Sequence, residues 1–286
     1  MMDDLQRRAY EAEEAGDLPA ALELWKERSR GDDASIFLLK YGRVASRLGK
    51  WNDAEVAYSE SIRLCPEKAN ATFRSLSKLL MGCLWLHRTD KDDTESLAIA
   101  KEWFLRSLDD KRFAPALSLL GAACVALKDA DGAKAAFEEA IALDPEYEEA
   151  IYNLAVVEKK TNPQKARELL ERAIQLDPNR PSAHGLLGLI CQRMKEPIPA
   201  EQHFRRALEI DPNGYTSSLY LANLLGTLKR NSEAEQAYRS ATRLRPDLAG
   251  GYEFFARFLE SSGKFAEAVE ERAKIPPSTR TGAARR

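Results

Sequence analysis

The sequence has few histidines and cysteines and none of the common catalytic motifs. It contains three histidines, His87, His184 and His203, and four cysteines that form no CxxC pair. It also contains no GxxxxGK phosphate loop, no GxSxG elbow, no HExxH pair and no GxGxxG turn, so the signatures of nucleotide-binding, hydrolytic and zinc enzymes are missing. We therefore predict that the chain is not an enzyme, has no catalytic residues and uses neither a metal nor another cofactor.

An excess of charge of one sign and long apolar runs are also missing. The sequence has 43 lysines and arginines against 45 aspartates and glutamates, which gives a formal net charge of −2. Such a balance argues against nucleic acid as the partner, except through a local basic patch. No apolar run approaches the roughly 20 residues of a membrane-spanning helix, and the N-terminus has no apolar leader segment. The cysteines are expected to be reduced and buried, so we predict a monomeric, cytoplasmic protein.

A proline recurs at nearly constant spacing through the second half of the chain, at Pro145, Pro178, Pro212 and Pro246. The period is about 34 residues, which is typical of stacked helical hairpins. Before each proline, at the same three positions every time, stand an alanine, a large side chain and a second alanine. These positions are Ala133, Phe137 and Ala140; Ala166, Leu170 and Ala173; Ala200, Phe204 and Ala207; and Ala234, Tyr238 and Ala241. Their offsets place them on one helical face, where the alanines allow another helix to approach closely.

The helix that precedes each of these faces carries a small residue at a matching position. These residues are Gly121, Ala155, Gly188 and Ala222, and the same register extends back to Gly42 and Ala9 and forward to Ala256. The pattern resembles the tetratricopeptide repeat, and the resemblance covers nearly the whole chain. It implies an all-α fold, a right-handed superhelical solenoid of about eight helix-turn-helix repeats. Each repeat needs its neighbours in order to bury its apolar faces.

The repeat pattern predicts a single solenoid over residues 1–275, followed by a disordered basic tail over residues 276–286. The predicted repeats are 2–34, 35–68, 69–113, 114–147, 148–180, 181–214, 215–248 and 249–275. The second helix of the last repeat contains many charged residues, so we expect it to be a polar cap on the end of the solenoid.

The third repeat is longer than the others. The interval from Pro66 to Pro145 exceeds two ordinary repeats of about 34 residues each. The first helix of this repeat can be registered on Leu76 or on Gly82, and the sequence leaves both alternatives open. We predict that the polar segment 87–95 is the loop between the two helices of this repeat.

The resemblance implies that the first helices of the repeats line a concave groove. Helical spacing places the groove residues beside the small buried residue of each first helix. In repeats five to eight the predicted groove residues are Tyr152, Asn153, Val156, Leu186, Leu189, Tyr220, Asn223, Phe254 and Arg257. We expect the three aromatic side chains to anchor a ligand and the two asparagines to bind its backbone, since an amide offers both a donor and an acceptor. The leucines, with Leu219, can alternatively pack between adjacent first helices.

The first half of the chain has a basic first-helix face instead. Its residues are Lys40, Arg43, Arg47, Arg74 and Lys78, the last two on condition that the first helix of the third repeat lies near residues 71–87. This basic patch suits an acidic peptide or RNA, and the alternative is an ordinary solvated face.

One recognised binding mode of the family does not fit this sequence. Chaperone-binding members hold a terminal carboxylate with lysines, asparagines and an arginine on three successive first helices. Here Asn153 occupies one such position, but Ser118 and Ala122 stand where a lysine and an asparagine are expected. Asn223 is likewise preceded by Leu219 in place of lysine. We therefore predict no chaperone-type carboxylate clamp.

The function predicted from the sequence is that of a protein-interaction scaffold. The groove is expected to bind an extended or helical segment of another protein or peptide. Two alternatives stay open: binding of RNA or an acidic ligand through the basic patch, and service as the targeting or regulatory module of a larger enzyme complex.

Overall fold

The described residues of the computed structural model, which are 2–31, 33–65, 71–88 and 93–276, form sixteen α-helices and no strand. The chain divides into two compact units, Met1–Asn153 (unit 1) and Leu154–Arg286 (unit 2). No helix in this described part of the chain is long and apolar enough to cross a membrane. The predicted loop over 87–95 is shorter than expected, because α5 ends at Arg88 and α6 begins at Thr94. Residues 89–92, Pro66 and the tail from residue 277 onward lie outside the described residues.

Unit 1 contains eight complete helices. They are α1 (Asp4–Glu14), α2 (Leu18–Arg28), α3 (Ala34–Arg47), α4 (Trp51–Leu64), α5 (Ala71–Arg88), α6 (Thr94–Asp110), α7 (Ala114–Ala126) and α8 (Ala130–Leu143). Each helix from α1 to α7 packs against the next one along the chain, and the first helices α3 and α5 are also in contact. This sequential packing is that of a helical repeat solenoid.

Unit 2 follows the same rule. Helix α9 (Glu148–Glu158) contains the boundary between the units and is followed by α10 (Pro163–Leu176), α11 (Pro181–Arg193), α12 (Pro197–Ile210), α13 (Tyr215–Thr227), α14 (Asn231–Leu244), α15 (Ala249–Ser261) and α16 (Phe265–Ala273). Consecutive helices from α10 to α16 are in contact. The predicted class, an all-α helical repeat solenoid, is therefore confirmed, whereas the repeat boundaries stay a prediction.

Local sequence explains where the helices begin and turn. Asp129 and Asn162 accept a hydrogen bond from the backbone N–H three residues later, which satisfies a donor at the helix start. The turns inside the repeats use the left-handed backbone region at one repeated position. Their φ angles are 78° at Gly16, 71° at Gly49, 61° at Lys128, 63° at Lys195, 61° at Lys229 and 77° at Gly263.

In four repeats the two helices meet at a close contact between a glycine and an aromatic ring, at Gly42, Gly82, Gly121 and Gly188. A Cβ atom added at Gly121 would lie 2.6 Å from Cε1 of Phe137, so no larger residue fits without displacing the ring. The same contact joins Gly82 to Phe104, where the added Cβ would lie 2.5 Å from Cε1. The first helix of the stretched third repeat is therefore registered on Gly82, which settles the choice that the sequence left open.

The second helix of the last repeat is less polar at its surface than expected. Phe265 and Val269 lie one turn apart on α16, and each is 66% exposed. Arg272, which occupies the position of the buried aromatic residue, forms an ion pair with Glu260 on α15. The charged residues of α16 thus hold it to α15, and two apolar side chains face away from the repeat.

Candidate ligand groove

The predicted groove residues of unit 2 other than Val156 lie on three successive first helices, α11, α13 and α15. Helix α13 packs against both α11 and α15 as well as against its own partner helix. The small residues Gly188, Ala222 and Ala256 are buried, so their helices turn a different face away from the core. Residues two positions before and one position after each small residue flank that buried line.

Helix α11 contributes two leucines and an amide to this face. Leu186 and Leu189 are each half-buried, which leaves part of both side chains accessible. Gln192 lies one turn after Leu189, and its Nε2 donates to Oδ1 of Asn223 on α13 at 3.1 Å. The bond joins the groove faces of two successive repeats. Gln192 is the residue that the sequence analysis missed, although its spacing of three from Leu189 would have indicated it.

Helix α13 contributes Tyr220 and Asn223. The ring of Tyr220 packs against the buried ring of Phe204, with centroids 5.8 Å apart, and the side chain is half-buried. Burial raises the pKa of the Tyr238 hydroxyl, and the nearby amide of Asn223 opposes that rise. Leu219 is 9% exposed, and for this leucine the packing alternative is correct.

Helix α15 presents the most exposed aromatic residue of the predicted set. Phe254 is 43% exposed. The guanidinium of Arg257 lies 6.0 Å from the centroid of its ring, which is the outer limit for a cation–π contact. The accessible ring of Phe254 can pack against an apolar side chain of a ligand. The guanidinium of Arg257 beside it can donate to a hydrogen-bond acceptor in the next ligand residue.

The remaining predicted groove residues lie on α9. Val156 is half-buried in unit 2, whereas Tyr152 and Asn153 are half-buried at the end of unit 1. The structure thus brings the residues of α11, α13 and α15 into one unit and leaves the role of Tyr152 and Asn153 as a prediction.

The basic patch of unit 1 is partly neutralised by two carboxylates. Glu13 accepts a hydrogen bond from Nη2 of Arg43 at 2.7 Å, and Nη1 of Arg47 lies 3.8 Å from the same carboxylate oxygen. The ammonium of Lys40 lies 5.3 Å from the ring centroid of Tyr10. The patch is therefore less positive than its sequence indicates.

The other half of the patch surrounds Asp110. This carboxylate pairs with Arg74 and lies 2.7 Å from Nζ of Lys78, and its side chain is only 3% exposed. Burial opposes its ionisation, but the hydrogen bonds from the two cations outweigh that effect and hold the pKa of Asp110 below its ordinary value. Neither Glu13 nor Asp110 could be assigned to the patch from spacing, because each lies on a different helix from the cations it holds.

Other titratable groups cluster in one place in unit 2. Nδ1 of His184 lies 3.3 Å from Nδ1 of His203, and Nε2 of His184 lies 3.2 Å from the carbonyl oxygen of Pro178. Burial lowers the pKa of both histidines. In unit 1, burial raises the pKa of the Cys83 thiol to about 11. The described residues contain no group of three or more metal-ligating side chains that could hold an ion.

Known proteins share the repeat and the fold. Three family models described as tetratricopeptide repeat match residues 125–190, 181–213 and 199–249. The solved structure of Pseudomonas aeruginosa pilF is 21% identical over 69% of this chain and 88% of that chain, with a TM-score of 0.60. YrrB, described as a TPR protein with an unusual peptide-binding site, is 18% identical over 61% of this chain and 91% of that chain, with a TM-score of 0.50. No curated protein has a significantly similar sequence.

Proposed function

We propose that this chain, in which residues 125–249 match tetratricopeptide repeat models, is a scaffold that binds a segment of another protein in the groove of unit 2. The groove is formed by α11, α13 and α15. Leu186, Leu189, Tyr220, Phe254 and Arg257 form its ligand-facing surface, with Val156 at the preceding repeat.

One observation carries this proposal. An accessible apolar or aromatic side chain recurs two residues before the small residue on three successive first helices, as Leu186, Tyr220 and Phe254, and Phe254 is 43% exposed. Ordinary exposed positions of the same unit carry charges, as at Glu168 and Arg205. Accessible aromatic and aliphatic groups in a row are typical of surfaces that bind another protein.

The amides of the groove favour a peptide segment as the ligand. Oδ1 of Asn223 already accepts a hydrogen bond from Gln192, so Asn223 orients Gln192 instead of binding the ligand directly. The carbonyl of Gln192 then accepts from a ligand backbone N–H, whatever the ligand sequence. This division of roles modifies the predicted one, in which Asn223 itself contacts the ligand.

The proposal includes binding without catalysis, a cytoplasmic location and a monomeric state. The first rests on the repeat family and on the missing catalytic motifs. The second is supported by the cysteines, of which Cys65, Cys124 and Cys191 are buried. Light scattering at several protein concentrations tests the third.

The groove can be tested before a partner has been identified. A random twelve-residue peptide library is selected on the full chain, and the enriched peptides are then measured by calorimetry. We expect dissociation constants near micromolar, which correspond to about −8 kcal/mol. Replacing Phe254 or Tyr220 by alanine is expected to weaken binding about 5- to 30-fold, with circular dichroism showing that the variants stay folded.

The matched control for Phe254→Ala is Phe265→Ala in the same repeat. Both side chains are exposed, but Phe265 lies on the second helix, outside the groove. It is expected to leave the affinity unchanged. Selected peptides that bind the Phe254→Ala variant as well as the parent protein would refute the groove assignment.

A further inference from the structure

Unit 1 contains a cleft that the proposed groove does not include. It lies between α3, α4 and α5 and has a volume of about 230 Å³. Tyr58 and Leu84 are buried at 1% and 3% exposure, and Trp51 and Leu80 are half-buried in its wall. The cleft is thus an apolar depression, and two of its walls are first helices.

The size of the cleft limits what can occupy it. Sites for small molecules and cofactors usually measure about 300–1,000 Å³. A water molecule takes about 30 Å³, so this cleft has room for roughly one large side chain. A single apolar side chain of a partner fits these dimensions better than a free metabolite does.

The rim of the cleft carries an excess of positive charge. Arg43 and Arg47 line it one helical turn apart and share a single carboxylate, that of Glu13. Glu13 also accepts a hydrogen bond from Nε1 of Trp25 at 2.7 Å. Its carboxylate is therefore shared among three donor side chains. The side chains of Arg43 and Arg47 are 43% and 52% exposed. Part of each guanidinium group is therefore accessible to a ligand.

The third polar group of the rim is a histidine. Nδ1 of His87 donates to the carbonyl oxygen of Cys83 at 2.7 Å, which leaves Nε2 as the ring atom that can contact a ligand. No carboxylate lines the cleft among the described residues.

We propose that this cleft binds an acidic peptide segment by inserting one large apolar side chain between the walls. Carboxylates that flank the inserted residue pair with Arg43 and Arg47. An RNA strand would also be attracted to the two arginines, but the apolar floor of the cleft favours a side chain over a phosphate. The proposal concerns unit 1 and does not depend on the groove of unit 2.

A synthetic probe tests this directly. It is a fluorescein-labelled, end-blocked peptide with one phenylalanine flanked on each side by two aspartates, and binding to the full chain is followed by anisotropy. Replacing the aspartates by asparagines is expected to weaken binding about fivefold or more. Replacing the phenylalanine by alanine is expected to weaken it about tenfold or more. Each exchange leaves the protein unchanged, so neither result depends on a variant that has to fold.

Two arginine variants locate the site. Arg47→Gln removes a rim charge from a side chain that is 52% exposed, and Arg63→Gln removes a charge from α4 at 67% exposure, outside the cleft. Only Arg47→Gln is expected to weaken binding of the probe, by about fivefold. Equal binding of the asparagine peptide, equal effects of the two variants, or no binding at millimolar peptide would overturn the proposal. A labelled uridine oligonucleotide provides the test for RNA. If it binds more tightly than the peptide and its binding is lost in the Arg47→Gln variant, the proposal is overturned in favour of RNA.

Discussion

The two compact units use the same glycine–aromatic contact but arrange their charges differently. In unit 1, two cations share one largely buried carboxylate at Glu13 and again at Asp110, whose side chains are 10% and 3% exposed. In unit 2, the carboxylates whose ion pairs join successive repeats are more exposed. They are Glu196 with Arg167 at 2.8 Å, Glu201 with Arg230 at 2.7 Å and Glu235 with Lys264 at 2.8 Å, and the three carboxylate side chains are 36%, 18% and 21% exposed. Unit 1 also has pairs of this kind, such as Arg88 with Glu55 and Lys101 with Asp129.

The difference shows which features the repeat requires and which it leaves free. The small residue and the ring that fills the gap above it are present in both units, because without them the two helices of a repeat could not approach closely. The positive charges only have to be balanced by carboxylates, and these carboxylates can be largely buried or more exposed. The first-helix faces follow the same division, with arginines around a cleft in unit 1 and amides beside aromatic rings in unit 2.

The largest expected effect separates the two ways of balancing charge. Asp110→Asn leaves the guanidinium of Arg74 and the ammonium of Lys78 without their carboxylate, and these two side chains are only 18% and 16% exposed. We expect it to lower the free energy of unfolding by about 2–3 kcal/mol, measured by urea denaturation. Glu201→Gln in unit 2 is the matched variant, because Glu201 also pairs with two cations. It should cost less, because Arg205 and Arg230 are 47% and 38% exposed and water screens their charges.

Salt sharpens this comparison. Raising the ionic strength to about 1 M shortens the screening length to about 3 Å, so the cost of Glu201→Gln should nearly vanish while most of the cost of Asp110→Asn persists. Equal losses for the two variants at both salt concentrations would show that burial of the carboxylate makes no difference to its contribution.

The next prediction tests whether the glycine–aromatic contact is equivalent in the two units. Gly82→Ala in unit 1 and Gly188→Ala in unit 2 each place a methyl group against a ring, 2.5 Å from Phe104 and 2.7 Å from Phe204. We expect both to lower the free energy of unfolding by about 1–3 kcal/mol through overpacking. Hydrogen exchange then reports which helices open more readily.

A third glycine provides the control for this pair. A Cβ atom added at Gly250 would lie 3.6 Å from the hydroxyl oxygen of Tyr215, which is an ordinary contact. Gly250→Ala should therefore leave stability unchanged or raise it slightly. A loss confined to one of the two buried glycines would break the equivalence of the units.

The sequence predicted the repeat fold well, because the fold depends on the periodic small and large residues that the sequence displays directly. The register on Gly82 could not be chosen in advance, since the extra residues of the third repeat shift its spacing. Helical spacing predicted the groove positions. It did not predict how exposed each side chain is or which hydrogen-bond partners it has. Asn223 accepts from Gln192 on α11, and Arg43 is held by a glutamate of the preceding repeat. Such contacts depend on which side chain stands on the facing helix, and the repeat pattern does not fix that residue.

Unit 2 contains a pH-sensitive contact for which unit 1 has no described counterpart. Because Nε2 of His184 faces the carbonyl oxygen of Pro178, its proton lies there, and Nδ1 accepts from His203. Burial lowers the pKa of both histidines, and the nearby Arg206 and Arg167 lower the pKa of His184 and His203 respectively, against an opposing effect of Glu171 on His203.

The sign of the pH effect follows from these shifts. A histidine whose pKa is lower in the folded state binds a proton more readily when unfolded, so stability falls as the pH drops below about 6.5, the ordinary pKa. The loss levels off once the pH lies below the folded pKa. Urea denaturation between about pH 7.5 and pH 5 should show this slope, and His203→Gln should flatten it. A parent protein whose stability is constant over that range would contradict the assignment.

The smallest expected effect concerns a turn that both units share. Lys128 in unit 1 and Lys195 and Lys229 in unit 2 have φ angles near 60°, at the position where Gly49 and Gly263 stand in other repeats. A residue with a Cβ atom pays about 1 kcal/mol or more for this backbone region, and glycine does not. Glycine loses more chain entropy on folding, which offsets part of the gain.

Each Lys→Gly change should therefore raise the free energy of unfolding by up to about 1 kcal/mol, and the three gains should add because the sites are far apart in sequence and lie in separate turns. Alanine at the same positions removes the charge but keeps the Cβ atom, so it should give no gain. If the alanine variants stabilise the protein as much as the glycine variants do, the lysine charge and not the backbone strain is responsible.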